Sequence, residues 1–205
     1  MNEHVMKSTA TDPRRRYFLT AAATIIGGIG VAAMAVPFIS YMNPSAKARS
    51  AGAPVKVDFS KLEPGQQITV NWRGKPVWVL RRTPQMLEDL RTSSMRERLR
   101  DPDSAVDTQQ PAYAKNELRS IETEYLAVVG ICTHLGCVPS FRPDVAPADL
   151  GPDWPGGYFC PCHGSKFDFA GRVYKSVPAP ANLVIPPYRF LYGTEIIVGE
   201  DTATS

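Results

Sequence analysis

The sequence is short of the residues that carry most site chemistry. It has three histidines and four cysteines in 205 residues, and no internal repeat or low-complexity tract. The lack of repeats excludes a solenoid or array. The formal net charge is only +3, and much of the excess lies near the N-terminus in Arg14, Arg15, Arg16, Lys47 and Arg49. No basic stripe is left for a nucleic-acid partner, so none is expected. The hydrophobic fraction of 43% excludes global disorder. From Tyr17 through Ala46 charge is missing altogether, and that gap is the first positive feature of the chain. The length allows one ordinary domain and an appendage.

The core of the uncharged run, residues 18–42, would extend roughly 37 Å as a helix at 1.5 Å per residue. That is enough to cross a ~30 Å hydrocarbon layer with some tilt. Pro37 is tolerable in a membrane helix, and Gly27, Gly28 and Gly30 would let a neighbouring helix approach closely. Arg14-Arg15-Arg16-Tyr17-Phe18-Leu19 precedes the run. It resembles a twin-arginine export signal, departing from it at Arg14, where Ser or Thr is commoner. The basic flank by itself gives the same orientation. Residues 1–17 are thus expected in the cytoplasm and 18–42 as a single anchor in the lipid of the bacterial inner membrane, with the remainder in the periplasm. The competing reading is a signal peptide cleaved at Ala33-Met34-Ala35. The run is long for that, so retention is expected. Residues 43–54 are small, polar and without periodicity. They read as a flexible linker of at most ~40 Å.

Residues 55–205 read as a mostly β domain. Short β-prone stretches occur at 67–72 and 76–81 around an Arg73-Gly74-Lys75 turn, then at 125–129, 158–159, 166–169, 173–174, 183–185 and 195–198. Thr83-Pro84 is a helix start, with Met86, Leu87, Leu90 and Leu99 facing inward. Residues 101–120 are polar and irregular and read as a surface excursion. The 19 prolines, many between these strands, suit an antiparallel β fold with long loops.

Every cysteine, and every histidine except His4, falls in two short segments. These are Cys132-Thr133-His134-Leu135-Gly136-Cys137 and Cys160-Pro161-Cys162-His163-Gly164-Ser165. Such clustering implies a metal site, a disulfide, or both. Structural zinc has the right donor types. However, Cys-x-His is a tight bite, and zinc leaves two cysteines unexplained. In the second box Cys160 and His163 have a workable gap, whereas Cys162 and His163 are adjacent and badly placed to share an ion. In the first box both Cys132 with His134 and His134 with Cys137 are workable.

The two boxes resemble the cluster-binding loops of Rieske proteins, in which two histidines replace two cysteines on one iron of a [2Fe–2S] cluster. The resemblance implies an antiparallel Rieske-type β domain with a cluster-binding subdomain at about 130–180, behind the single membrane helix and linker. It implies that Cys132 and Cys160 bind one iron and His134 and His163 the other, with Cys137 and Cys162 joined by a disulfide. Ser165 would donate a hydrogen bond to a cluster sulfur and raise the potential. Gly136 and Gly164 would permit tight turns and close backbone approach. His163 would take the hydrogen bond and proton of a quinol. In high-potential members a Tyr stands two residues after the serine; here Phe167 does, so a lower potential is expected. Pro178-Ala179-Pro180-Ala181-Asn182-Leu183 resembles the family's proline loop over the cluster, though Val177 replaces the usual Gly.

The anchor, linker and inter-box stretch, with Phe141-Arg142-Pro143 and Ala146 to Gly151, resemble the proteobacterial cytochrome bc1 type. The implied activity is quinol–cytochrome-c reductase, with cytochrome b, cytochrome c1 and ubiquinol as partners in a dimeric complex. Twin-arginine export, which carries folded proteins, suits a cluster assembled before transport. The alternatives are an arsenite-oxidase Rieske subunit and a free-standing membrane-tethered electron carrier.

Overall fold

The computed structural model describes residues 12–201. Residues 1–11, which hold His4 and most of the expected cytoplasmic segment, and residues 202–205 at the end of the head lie outside the described residues. The chain divides into two units, residues 1–49 and 50–205.

In the first unit, α1 runs Pro13–Tyr41. It starts five residues before the expected anchor and takes in the three arginines. The cause is a start signal that hydropathy does not see. Asp12 accepts the Arg14 amide at 2.9 Å and Pro13 occupies the first turn, where its missing N–H costs nothing. None of its residues is buried, and apolar side chains from Phe18 to Ile39 stand 63–71% exposed. A helix apolar on all sides and that long meets the requirements for crossing a membrane. Its hydroxyls are satisfied internally: Thr20 donates to Arg16 O, Thr24 to Thr20 O and Ser40 to Pro37 O. The expected linker contains a second helix, α2, Ala46–Ala51. Ser45 caps it by accepting the Ala48 amide, a signal hidden in a stretch read as structureless.

The second unit is built on three three-stranded antiparallel sheets. β2 (Gln67–Trp72), β3 (Lys75–Arg81) and β4 (Tyr125–Val129) form the central one. β3 buries four successive residues, Val77 to Leu80, because it is covered on both faces. The β2–β3 hairpin closes through Arg73 and Gly74, both at positive φ, the backbone a two-residue hairpin turn needs. β1 (Val55–Asp58), β8 (Tyr188–Tyr192) and β9 (Glu195–Val198) make a second sheet in the order β1-β9-β8. The third, β5 (Ser140–Arg142), β6 (Gly157–Phe159) and β7 (Lys166–Phe167), is small, with β5 and β6 between the two boxes in sequence and β7 directly after the second. Two short helices follow β3. α3 (Pro84–Leu90) is capped by Thr83 and buries Met86 and Leu90, with Leu87 half-buried; α4 (Ser93–Arg98) is capped by Thr92 and buries Met95. Leu99, just beyond α4, is also buried.

Two readings change. Residues 183–185 form no strand, although Leu183 and Ile185 are buried and Val184 half-buried. Their partners are scattered over separate elements: Leu183 N–H donates to Gly171 O and Ile185 N–H to Gln109 O, while Val184 O accepts from Val129 at the end of β4. The polar stretch 101–120 is not a surface excursion, since Ser104, Gln110, Leu118, Arg119 and Ser120 are buried. Polar residues read as solvated in sequence; here they hydrogen-bond main-chain carbonyls instead.

Candidate metal centre

Box one leaves β4 and box two leaves β6, so each begins at the end of a buried strand. The exit from β4 is Gly130, where a Cβ would come within 2.3 Å of the Trp78 ring. Trp78 in turn stacks on Tyr158 of β6 at 4.9 Å, which ties together the strands that present the two boxes.

The boxes fold into the same turn twice. Cys132 N–H donates to Cys137 O at 2.7 Å and Gly136 N–H to Cys132 O at 3.0 Å. Five residues apart in the same way, Cys160 N–H donates to Ser165 O at 2.8 Å and Gly164 N–H to Cys160 O at 2.9 Å. Gly136 and Gly164 hold φ of 84° and 77°, the left-handed region that a side chain strains. A Cβ at either would meet no protein atom within 4 Å. Backbone conformation, rather than close approach within the protein, is therefore what requires glycine.

The equivalent cysteines, Cys132 and Cys160, are each 2% exposed. His134 is half-buried and His163 exposed, with ring centroids 4.8 Å apart and planes nearly perpendicular. Sulfur donors thus point inward and imidazoles outward. A disulfide joins Cys137 to Cys162 and so links the loops. The sulfurs of Cys137, Cys160 and Cys162 lie within 4.8 Å of one another, but the disulfide removes two of them from any metal.

A third loop closes over both boxes. Ser165, fully buried, accepts the Ala179 amide at 3.0 Å, and the Thr133 hydroxyl donates to Ala181 O at 2.6 Å. Buried Asn182 accepts the Val173 amide and donates to Asp101 O. Sequence reasoning found Ser165 and the proline loop but passed over Thr133 and Asn182. The available signal was a hydrogen-bonding residue inside each otherwise apolar or ligand-bearing motif. Phe167 is fully buried on β7, opposite Tyr158, and offers no hydroxyl.

Burial pushes the Cys132 thiol above its ordinary value. The His134 backbone amide and the Ser165 hydroxyl hydrogen-bond to it and act the other way, while the adjacent Cys160 raises it further. Cationic iron bound beside these two sulfurs would hold them as thiolates. The donor atoms of Cys132, His134, Cys160 and His163 do not gather into the tight trio that a single ion needs. A donor set spread over two sulfurs and two imidazoles suits two bridged irons and not one zinc.

Paired turns of this kind, one buried cysteine and one outward histidine on each, with a disulfide between them, define a Rieske-type iron–sulfur domain. The Rieske [2Fe-2S] domain family model matches residues 55–189, and the model described as "Ubiquitinol-cytochrome C reductase Fe-S subunit TAT signal" matches residues 5–45. The chain belongs to the family of ubiquinol-cytochrome c reductase iron–sulfur subunits. The relative of that name from Allochromatium vinosum is 54% identical over 200 residues, covering 98% of this chain and 95% of its own. The one from Bradyrhizobium diazoefficiens is 41% identical over 192 residues, covering 94% and 98%. Among solved structures, a chain titled "Hyperthermophilic respiratory Complex III" is similar at 25% identity and a TM-score of 0.47, covering 86% of this chain and 98% of that one. Relatives matching through both the anchor and the head do not favour the arsenite-oxidase or free-carrier readings.

Proposed function

We propose that the head takes one electron from ubiquinol at a site shared with cytochrome b and passes it to cytochrome c1. Cys132 and Cys160 would hold one iron and His134 and His163 the other. The observation that carries this is the exposure of His163 above a buried cysteine pair. A buried sulfur side suits a cluster shielded from water, and an exposed imidazole can meet a quinol.

When bound, the cluster supplies the one-electron chemistry. His163 would hold iron through one ring nitrogen and keep the other for a substrate. Once that nitrogen has lost its own proton in the oxidised centre, it would accept a hydrogen bond from the quinol hydroxyl and take its proton as the electron leaves, so charge would not accumulate on the substrate. Leu135 on box one and Val138 just after it stand 72% and 52% exposed. They offer apolar surface for excluding water when the head docks. Ser165 and Thr133 keep the third loop closed on the site.

On this reading α1 crosses the bacterial inner membrane with residues 1–17 in the cytoplasm and the head in the periplasm, within a dimeric complex. Residues 43–54 then tether a head that must visit two partners. Low-temperature EPR of the reduced protein in its membranes tests the centre: an average g below the free-electron value with couplings to two histidine nitrogens is expected, and an EPR-silent protein would end this reading. Stiffening residues 43–54 should stop turnover while leaving that signal intact. Unchanged turnover would remove the tether from the mechanism.

A further inference from the structure

The head buries charges that do not cancel. Arg82, Arg119, Arg172 and Asp168 are each 0 or 1% exposed, and no other charged side chain among the described residues is buried. Arg172 donates through Nε to Asp168 at 2.7 Å, so the single anion is matched by one cation. Arg82 and Arg119 make no ion pair among the described residues. Arg82 donates to Leu118 O and to the Ser120 hydroxyl. Arg119 donates to Ala170 O, Gly171 O, Gln109 O and the Gln110 side-chain oxygen. Carbonyl dipoles solvate a guanidinium but do not neutralise it. Burial draws both guanidiniums down to about 10, which still leaves them charged at neutral pH.

These cages are made from the backbone that carries the site. Ala170 and Gly171 lie in the turn that follows β7, and β7 begins at the residue after Ser165. Asp168 accepts the Ala170 and Arg172 amides within that turn. Gly171 O also accepts the Leu183 amide just past the proline loop. Residues 118–125, which hold Arg82, lead directly into β4 and box one. Leu118 and Ala170, whose carbonyls take part in these cages, belong to the same buried core as Cys132 and Cys160.

We propose that the excess buried positive charge of Arg82 and Arg119 sets the reduction potential of the cluster, holding it higher than its ligands and Phe167 alone would. The inference rests on the ligand assignment above. With two thiolates and two neutral imidazoles, the ferric cluster carries no net charge and the reduced one a single negative charge. A fixed cation in a medium of low polarisability stabilises the second state more than the first. A role confined to tying carbonyls would not make the midpoint move in opposite directions on loss of a cation and loss of an anion.

The test is a redox titration of the EPR signal of the full chain in its membranes. Arg119→Gln should reduce the equilibrium constant for taking up the electron roughly tenfold, a fall of 59 mV for one electron. Arg119→Lys, which keeps a cation where the ammonium stays protonated, should hold the midpoint above that of Arg119→Gln, most clearly at low pH. Asp168→Asn, which removes the anion, should move the midpoint the opposite way. Because the charges are buried, the shifts should survive high salt. If Arg119→Gln assembles no cluster, Arg82→Gln removes the same charge from a separate cage. Midpoints unchanged, or shifted the same way by loss of cation and loss of anion, would overturn the proposal. A parent protein without the Rieske signal would instead overturn the ligand assignment.

Discussion

The two boxes share a backbone and differ in what they hang on it. Both close a turn from the first residue to the sixth and place glycine fifth, at positive φ. The first residue of each, Cys132 or Cys160, is equally buried. The symmetry ends there. Box one puts its histidine third and its sixth residue is Cys137, in the disulfide. Box two puts its histidine fourth and its sixth residue is Ser165, which holds the proline loop. The lesson is a division of labour. A repeated turn fixes the inner sulfurs alike, whereas the shift of one position leaves one imidazole half-buried and the other exposed. Of the two histidines, His163 is the more accessible.

The equivalence of the inner cysteines can be broken most severely. Cys132→Ser and Cys160→Ser should each abolish the cluster, since a serine oxygen is a poor replacement for thiolate on iron and the site is closed to compensating ligands. EPR amplitude and iron content measured on purified membranes should fall to background in both. A variant at one position that kept the signal would show that the sulfurs are not equivalent and that the assignment of one iron to both is wrong.

The sixth position of each box gives a smaller and unequal effect. Cys137→Ser opens a loop whose ends are 25 residues apart, and about 2–4 kcal/mol of stability is expected to go with it. Ser165→Ala leaves the buried Ala179 amide without its partner, at a cost of about 1–3 kcal/mol. Urea unfolding of the intact chain should rank them in that order. Only Ser165→Ala should also lower the midpoint, because only it removes a hydroxyl that reaches Cys132. Equal shifts of potential in both would mean that the serine acts through packing.

What could be read without coordinates follows from this same contrast. Cys132, His134, Cys160 and His163 stood out because reactive residues were scarce and close together in sequence. The anchor stood out because charge was absent, and the hairpin at Arg73-Gly74 because turn chemistry is local. Strands β1, β5 and β8 were missed: three to five residues with mixed polarity carry little signal, and β1 finds its partner β9 at the far end of the domain. Arg82, Arg119 and Arg172 look like surface residues in any composition. Their burial depends on carbonyls presented by loops at 109, 118 and 170–171, which no local pattern announces. Helix α2 was missed for a smaller reason, a single capping Ser45 in a stretch judged by its lack of periodicity.

The smallest expected effect is at Phe167, which lies two residues beyond Ser165 and opposite Tyr158 in the β6–β7 pair. The ring is fully buried, so a hydroxyl added at its tip has no water to bond and must find a protein or cluster acceptor. If the tip faces a ligand sulfur, the new O–H donates to it and stabilises the more negative, reduced state. A charge-assisted bond of this kind is worth about 1.5–3 kcal/mol, and only the part that differs between the two redox states moves the potential. Phe167→Tyr should therefore raise the midpoint in protein-film voltammetry by the equivalent of about 1 kcal/mol or less, with no loss of EPR amplitude. A lower midpoint, or a stability loss without any change of potential, would mean that the hydroxyl is buried unpartnered. In that case the second box would owe its potential to Ser165 and the buried arginines, and not to the ring two residues further on.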